Sequence, residues 1–202
     1  MTQSCSTVPV EHFLEAYSRC SWRSRYRLIA RGSMISGQGV KWRSTTAGDL
    51  DATQKIGNEI HLDLSERPEV FAEKLALFPE GCFVLVQDET VLGYAFVHPW
   101  RLNDIPKLNE FLRRLPLSPE CILIHDVAVL RQARGQGASK SLFELVANLA
   151  KERNLSYLSL VSVYNSHLHW ARLGFELVSN DLIADQLNSY GETARYMVRR
   201  LP

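Results

Sequence analysis

The spacing of apolar positions changes several times along the chain, and each change marks an element. Behind Asp49, a residue suited to capping a helix, Ala52, Ile56 and Ile60 recur every four residues and predict a first helix. Ser65 and Pro68 open a second, with Phe71, Leu75 and Phe78 on one face and Pro79 as its stop. The period then shortens. Residues 82–87 read as a buried strand, Asp88-Glu89-Thr90 as a turn, and residues 91–98 as the hairpin partner. The connection over 99–120 contains Pro99, Pro106, Pro116 and Pro119 and a short amphipathic piece with Leu108, Phe111, Leu112 and Leu115. A loop this long either carries function or covers a sheet edge.

Residues 121–130 form the clearest strand. A helix follows over 138–153, with Leu142, Val146 and Leu149 on one face and Phe143 and Ala150 beside them. Beyond it come a strand over 157–163, a short helix over 165–173, a strand over 174–178 and a last strand over 192–200. The order predicts an α/β fold of the α+β kind. Its central strand–loop–helix–strand unit is expected to make a right-handed crossover between parallel strands.

Composition narrows the function classes. The 202 residues suit one domain plus an extension. A net charge of +1 gives no electrostatic case for nucleic acid or a membrane surface, and no run reaches the ~18 apolar residues of a membrane span. The four cysteines, Cys5, Cys20, Cys82 and Cys121, are scattered without a C-x-x-C pair, and they read as free thiols in a reducing, cytoplasmic setting. Between Ala16 and Gly48 there is no acidic residue, while Arg19, Arg23, Arg25, Arg27, Arg31, Lys41 and Arg43 all fall there. We read residues 1–40 as a basic, solvated extension and residues 41–202 as the domain. A transit-like arm is the alternative, weakened by Glu11 and Glu15.

The candidate chemistry sits in Arg131-Gln-Ala-Arg-Gly-Gln-Gly-Ala-Ser139, between a strand and a helix. Glycines let the main chain turn with positive φ and approach a ligand closely. The unpaired amides of the first helical turn and the helix dipole favour an anion, above all a phosphate. Arg134 adds a permanent cation. A nucleotide triphosphatase loop is excluded because no Gly-Lys-Ser/Thr follows, and the third glycine of a dinucleotide fingerprint is missing.

These residues carry a resemblance. Gln132-Ala-Arg-Gly135-Gln-Gly137 resembles the Q/R-x-x-G-x-G/A motif of the GNAT N-acetyltransferase superfamily. Ile124-His-Asp-Val-Ala-Val129 looks like that family's fourth strand, and Trp170-Ala-Arg-Leu-Gly174-Phe175 like its aromatic-x-x-x-Gly-Phe segment. Arg43-Ser-Thr-Thr-Ala-Gly-Asp49-Leu50 resembles its opening and Tyr190-Gly-Glu-Thr-Ala-Arg-Tyr-Met197 its closing strand. The resemblance implies a mixed, strongly twisted sheet with helices on both faces and acetyl-CoA as co-substrate in a gap between two central parallel strands. It also implies main-chain contacts from Val127, Ala128 and Val129 to the pantetheine arm. The amides of Arg134, Gly135, Gln136, Gly137 and Ala138 would hold the pyrophosphate, with Gln132 opening the motif. A main-chain N–H of the fourth strand would polarise the acetyl carbonyl.

Three catalytic candidates follow. His125 has the better intrinsic pKa for a base near neutrality, and Asp126 would need a raised pKa or a water relay. Regular alternation sends the two to opposite faces, so only one is expected to look into the cleft. Asn165 stands near the position where the family often has an asparagine, although its spacing to Gly174 is short. Trp170 occupies the family's tyrosine position and cannot protonate a leaving thiolate, so it is expected to pack against cofactor or core. Tyr164 is the nearby hydroxyl that could stand in. His167 and His169 do not share a helix face, and no metal site is expected. The reading is direct acetyl transfer to a small-molecule amine, in a chain compatible with a homodimer. The alternatives are a non-catalytic acyl-CoA-binding regulatory module and an enzyme acting on a protein or an aminoacyl-tRNA.

Overall fold

A computed structural model describes residues 39–179 and 181–202. The basic extension up to residue 38, with Cys5 and Cys20, lies outside the described residues. Among these residues seven strands form one sheet: β1 (Lys41–Ser44), β2 (Cys82–Gln87), β3 (Thr90–Trp100), β4 (Cys121–Val129), β5 (Tyr157–Ser162), β6 (Glu176–Leu177) and β7 (Arg195–Arg200), in the order β1-β2-β3-β4-β5-β7-β6. Every neighbouring pair is antiparallel except β4 and β5. The helices are α1 (Leu50–Ile60), α2 (Pro68–Leu77), α3 (Ala138–Glu152), α4 (His167–Arg172) and α5 (Asp181–Gln186).

Strand alternation divides the core between two faces. On one, Leu142, Val146 and Leu149 of α3 pack on Ala95, Val97, Ile122, Ile124 and Leu160. On the other, Ile56 of α1 and Phe71 and Leu75 of α2 pack on Val84, Val86, Tyr94 and Phe96. Helices thus cover both faces, as the α/β expectation required. At the entry to α1, Arg43 makes two hydrogen bonds to the Asp49 carboxylate (2.8 and 2.7 Å), which also accepts from the Thr46 amide and hydroxyl. These contacts hold Asp49 far below the usual carboxylate range despite its burial.

Several expected boundaries shift. β3 runs on through Pro99 and Trp100, which pair with Ile122 and Cys121. β7 starts at Arg195 rather than at residue 192, and β6 is only two residues long. The amphipathic piece around Leu108 to Leu115 is irregular; its amides are tied instead to side chains, Leu112 and Arg113 to Glu73 and Asn109 to Glu66. Helix α5 had no sequence expectation; its buried Ile183 joins Ile105, Tyr190 and Tyr196 in a separate apolar cluster.

Candidate active site

The parallel pairing of β4 and β5 covers only Ile122↔Leu158, Leu123↔Ser159 and Ile124↔Leu160. Beyond Ile124 the two strands part. A cleft of about 750 Å³ opens there, with Val127 and Val129 on one side and Val161 and Val163 on the other. One end is formed by Arg134, Gly135, Gly137 and Ala138, and the other by His61, Glu66, Leu108, Tyr164 and Tyr190.

The glycine loop is built as its sequence required. Gly135 (φ +77°) and Gly137 (φ +81°) are left-handed, and Gly137 is the residue ahead of the first turn of α3. A Cβ built on either would meet no heavy atom within 4 Å, so the main chain is bare on the cleft side. The indole Nε1 of Trp42 donates to the Ala138 carbonyl (2.9 Å) and fixes the start of α3. Arg134 Nε donates to the Val129 carbonyl (3.1 Å). Gln132 and Gln136 are exposed beside the cleft, the second bonded to the first's carbonyl (3.1 Å), and Ala128 points into the core under α1 and α2.

His125 and Asp126 do not alternate as expected. Phe96 pairs with Asp126 and Val97 with Ile124, which leaves His125 as the extra residue of a β-bulge. The bulge reverses the parity of β4: Ile122 and Ile124 face α3 before it, and Val127 does so after it. Both His125 and Asp126 therefore project toward the α1–α2 side, and both line the cleft. The His125 side chain is only 2% exposed, yet the residue as a whole is not buried, so what faces the cleft there is main chain.

The His125 ring joins a buried cluster. Its Nε2 lies 3.5 Å from Glu66 Oε1, and Glu66 Oε2 is ion-paired with the fully buried Lys74. His98 packs edge-on against His125 (centroids 5.9 Å), with its Nε2 3.3 Å from the Lys74 carbonyl. Burial, followed by the neighbouring Lys74 charge, pushes the His125 pKa down; burial and the other imidazole do the same to His98. Glu66 ionises readily despite its burial, because Lys74 and His125 stand beside it.

Asp126 sits in a second cluster. Tyr94 donates to its Oδ2 (2.8 Å), and His61 Nε2 is 3.0 Å from Oδ1. Tyr164, with φ +51°, turns its ring across the cleft to stack on His61. Asn165 also has positive φ but is exposed and does not line the cleft. Trp170 lines the cleft and packs edge-on against Phe175 (5.6 Å). The sequence reading missed His61, Glu66, Trp42 and Tyr94. Only Glu66 had a local signal, an acidic residue at the mouth of a helix otherwise read as capped.

A family model described as the acetyltransferase (GNAT) family matches residues 50–175. The chain belongs to the GNAT acetyltransferase family. Solved structures share its fold: Ard1 from Thermoplasma volcanium, at 15% identity over 82% of this chain and 99% of that one, with a TM-score of 0.61; N-acetylglutamate synthase from Neisseria gonorrhoeae in complex with coenzyme A and N-acetyl-glutamate, at 18% over 82% of this chain and 36% of that one, TM-score 0.62; and the ribosomal-protein-S18-alanine N-acetyltransferase from Escherichia coli, at 17% over 80% and 94%, TM-score 0.56. A search of curated protein sequences found no match. In this GNAT chain no group of three His, Cys, Asp or Glu side chains is placed to hold a metal ion, and no helix is long and apolar enough to cross a membrane, among the described residues. Cys82 and Cys121 are free and buried, and burial pushes the Cys121 thiol up to about 11.

Proposed function

We propose that this acetyltransferase moves the acetyl group of acetyl-CoA directly to the amine of a small molecule within a ternary complex. The observation that carries the reading is the parting of β4 and β5 into a cleft that opens onto Gly135 and Gly137 at the start of α3. The residues present fit acetyl-CoA. The bare main chain at both glycines leaves room for a pyrophosphate, and first-turn amides have no partner inside their helix. In this reading the amides of Gly135, Gln136, Gly137 and Ala138 hold the pyrophosphate, with Gln132 at the loop's outer side; the Arg134 amide, expected to join them, is taken up by the Arg131 carbonyl (3.2 Å). The main chain of Val127, Ala128 and Val129 pairs with the pantetheine arm, and Trp170 packs beside it. Asn165, exposed and outside the cleft lining, takes no part in this reading.

Bound acetyl-CoA supplies the thioester, whose C–S bond breaks as the new C–N bond forms. The chain's own groups handle the protons. Asp126 takes the proton of the amine, in preference to the His125 imidazole, which is engaged in the buried cluster. The main chain exposed at the His125 bulge orients the acetyl carbonyl. Tyr164, whose pKa is raised by burial and nearby carboxylates, stays protonated at neutral pH and gives its proton to the departing thiolate. Walls at Leu64, Leu108 and Tyr190 around the acceptor end support an acceptor of small size.

The test is release of free CoA from acetyl-CoA by the full chain against a panel of small primary amines, with the acetylated product identified by mass spectrometry. Amine-dependent release supports the reading. Tight acetyl-CoA binding with no release for any amine would show an acyl-CoA-binding module instead. Release only with peptides or aminoacyl-tRNA would move the acceptor to a macromolecule.

A further inference from the structure

His61 follows directly on α1 and belongs to no motif. In the fold it stands between two groups that are distant in sequence. Its Nε2 is 3.0 Å from Asp126 Oδ1, and its ring plane lies within 10° of the Tyr164 ring at a centroid distance of 6.0 Å. Asp126 comes from β4, and Tyr164 from the turn after β5. One imidazole therefore touches both groups to which the proton transfers are assigned.

The carboxylate is held from two directions. Tyr94 donates to Oδ2 at 2.8 Å, and His61 approaches Oδ1. An ionised carboxylate has about four lone-pair sites, so two such contacts still leave room for an incoming ammonium. The Asp126 side chain keeps 14% of its surface exposed. The His61 nitrogens are different. Both are buried, with Nε2 against Asp126 Oδ1. What the ring contributes to the cleft's chemistry it contributes through the carboxylate beside it.

We propose that His61 is a positioning residue for the acceptor end of the cleft: with Tyr94 it holds Asp126 in the orientation that meets the acceptor ammonium, and its ring face seats Tyr164 on the facing wall. This rests on the reading of the protein as an acetyltransferase for a small amine. The electrostatics agree with the geometry. Burial alone would strip the proton from His61, but the adjoining Asp126, with the Val127 carbonyl and the Glu66 charge, outweighs it and raises the pKa. The groups that face the ring are Asp126 from β4, Glu66 from the segment before α2, and Tyr164. A charged His61 offsets Asp126 in a site that must admit a second cation and then release a neutral amide.

Two variants and one spectroscopic measurement test the proposal. His61→Phe keeps a flat ring against Tyr164 and removes the contact with Asp126, whereas His61→Gln keeps a polar donor. In His61→Phe, kcat should fall ~10-fold or more while acetyl-CoA affinity by calorimetry stays within about twofold. The pH profile of kcat should also move, and His61→Gln should recover part of the loss. A His61→Phe enzyme with the parent's kcat and pH profile overturns the proposal, because the ring would then serve packing alone. The imidazole of His61 is followed independently by NMR titration in the parent chain and in Asp126→Asn. Its midpoint should move down in the variant, and an unchanged midpoint overturns the proposal even in a protein that turns over no substrate. A chain that acetylates no amine yet shows the shift fails the functional reading, while the His61–Asp126 coupling stands.

Discussion

Replacing Lys74 by Met removes the one cation from the buried cluster beneath the cleft. The Lys74 and Glu66 side chains are 0% and 2% exposed, and the ammonium is ion-paired with Glu66 Oε2. Breaking a buried pair from one side typically costs ~3–5 kcal/mol, because the remaining charge stays out of water. Glu66 retains the Asn109 amide at 3.1 Å and has His125 at 3.5 Å, which places the expected loss near the lower end, about 3 kcal/mol. For a domain of this size that is a fall in Tm of roughly 6–12 °C in thermal unfolding followed by circular dichroism. The deficit should depend on pH. In the parent chain the His125 pKa is lowered, first by burial and then by Lys74, so His125 contributes stability above its unfolded pKa of about 6.5 that is lost below it. Without Lys74 the imidazole faces Glu66 alone and its folded pKa should rise. A raised histidine contributes stability at low pH that is lost as pH climbs through the folded value. The variant's deficit should therefore be smaller at pH 6 than at pH 8. A double replacement, Glu66→Met with Lys74→Met, should recover part of the loss, since no charge is then stranded. A double variant no more stable than the single one, or a pH-independent deficit below about 1 kcal/mol, would refute the account of the cluster as a compensated buried charge.

Three further outcomes are expected. Gly135→Glu and Gly137→Glu should stay folded, at a strain of ~1–2 kcal/mol for the left-handed backbone, because a Cβ meets nothing nearby, yet lose at least about tenfold in acetyl-CoA affinity; unchanged affinity by calorimetry in both would remove the pyrophosphate assignment. Tyr164→Phe keeps the ring on His61 and deletes the hydroxyl, so kcat should fall by roughly tenfold with acetyl-CoA binding nearly unchanged, and a kcat within about twofold of the parent would make Tyr164 structural. Asp49 and Glu66 have lowered pKa values, so the stability they contribute is present above the unfolded carboxylate range near pH 4 and is lost as pH falls through it; Asp49→Asn should flatten the acid limb of a stability–pH curve, and an unaltered limb would show that the contacts of Asp49 do not favour its charged form.

What the sequence determined by itself was carried by near neighbours along the chain. The four-residue spacing of Ile56 and Ile60, the apolar run of β4 and the glycines at Gly135 and Gly137 each express a local backbone preference, and each is found where the pattern put it. Local pattern also located the glycine-loop end of the cleft, since a glycine loop between a strand and a helix is one continuous segment. The part of the cleft around His61 and Asp126 was not legible in this way. Whether His125 and Asp126 share a side depends on a bulge, and a bulge is a relation between β4 and its partner β3 rather than a property of either sequence. His61 meets Asp126, and Glu66 meets Lys74, His125 and the amide of Asn109, only after α1, α2, β4 and the long connection have packed together. Such contacts leave no periodicity behind. A charged or imidazole side chain can be buried once others compensate it, and only the tertiary structure brings the compensating groups together.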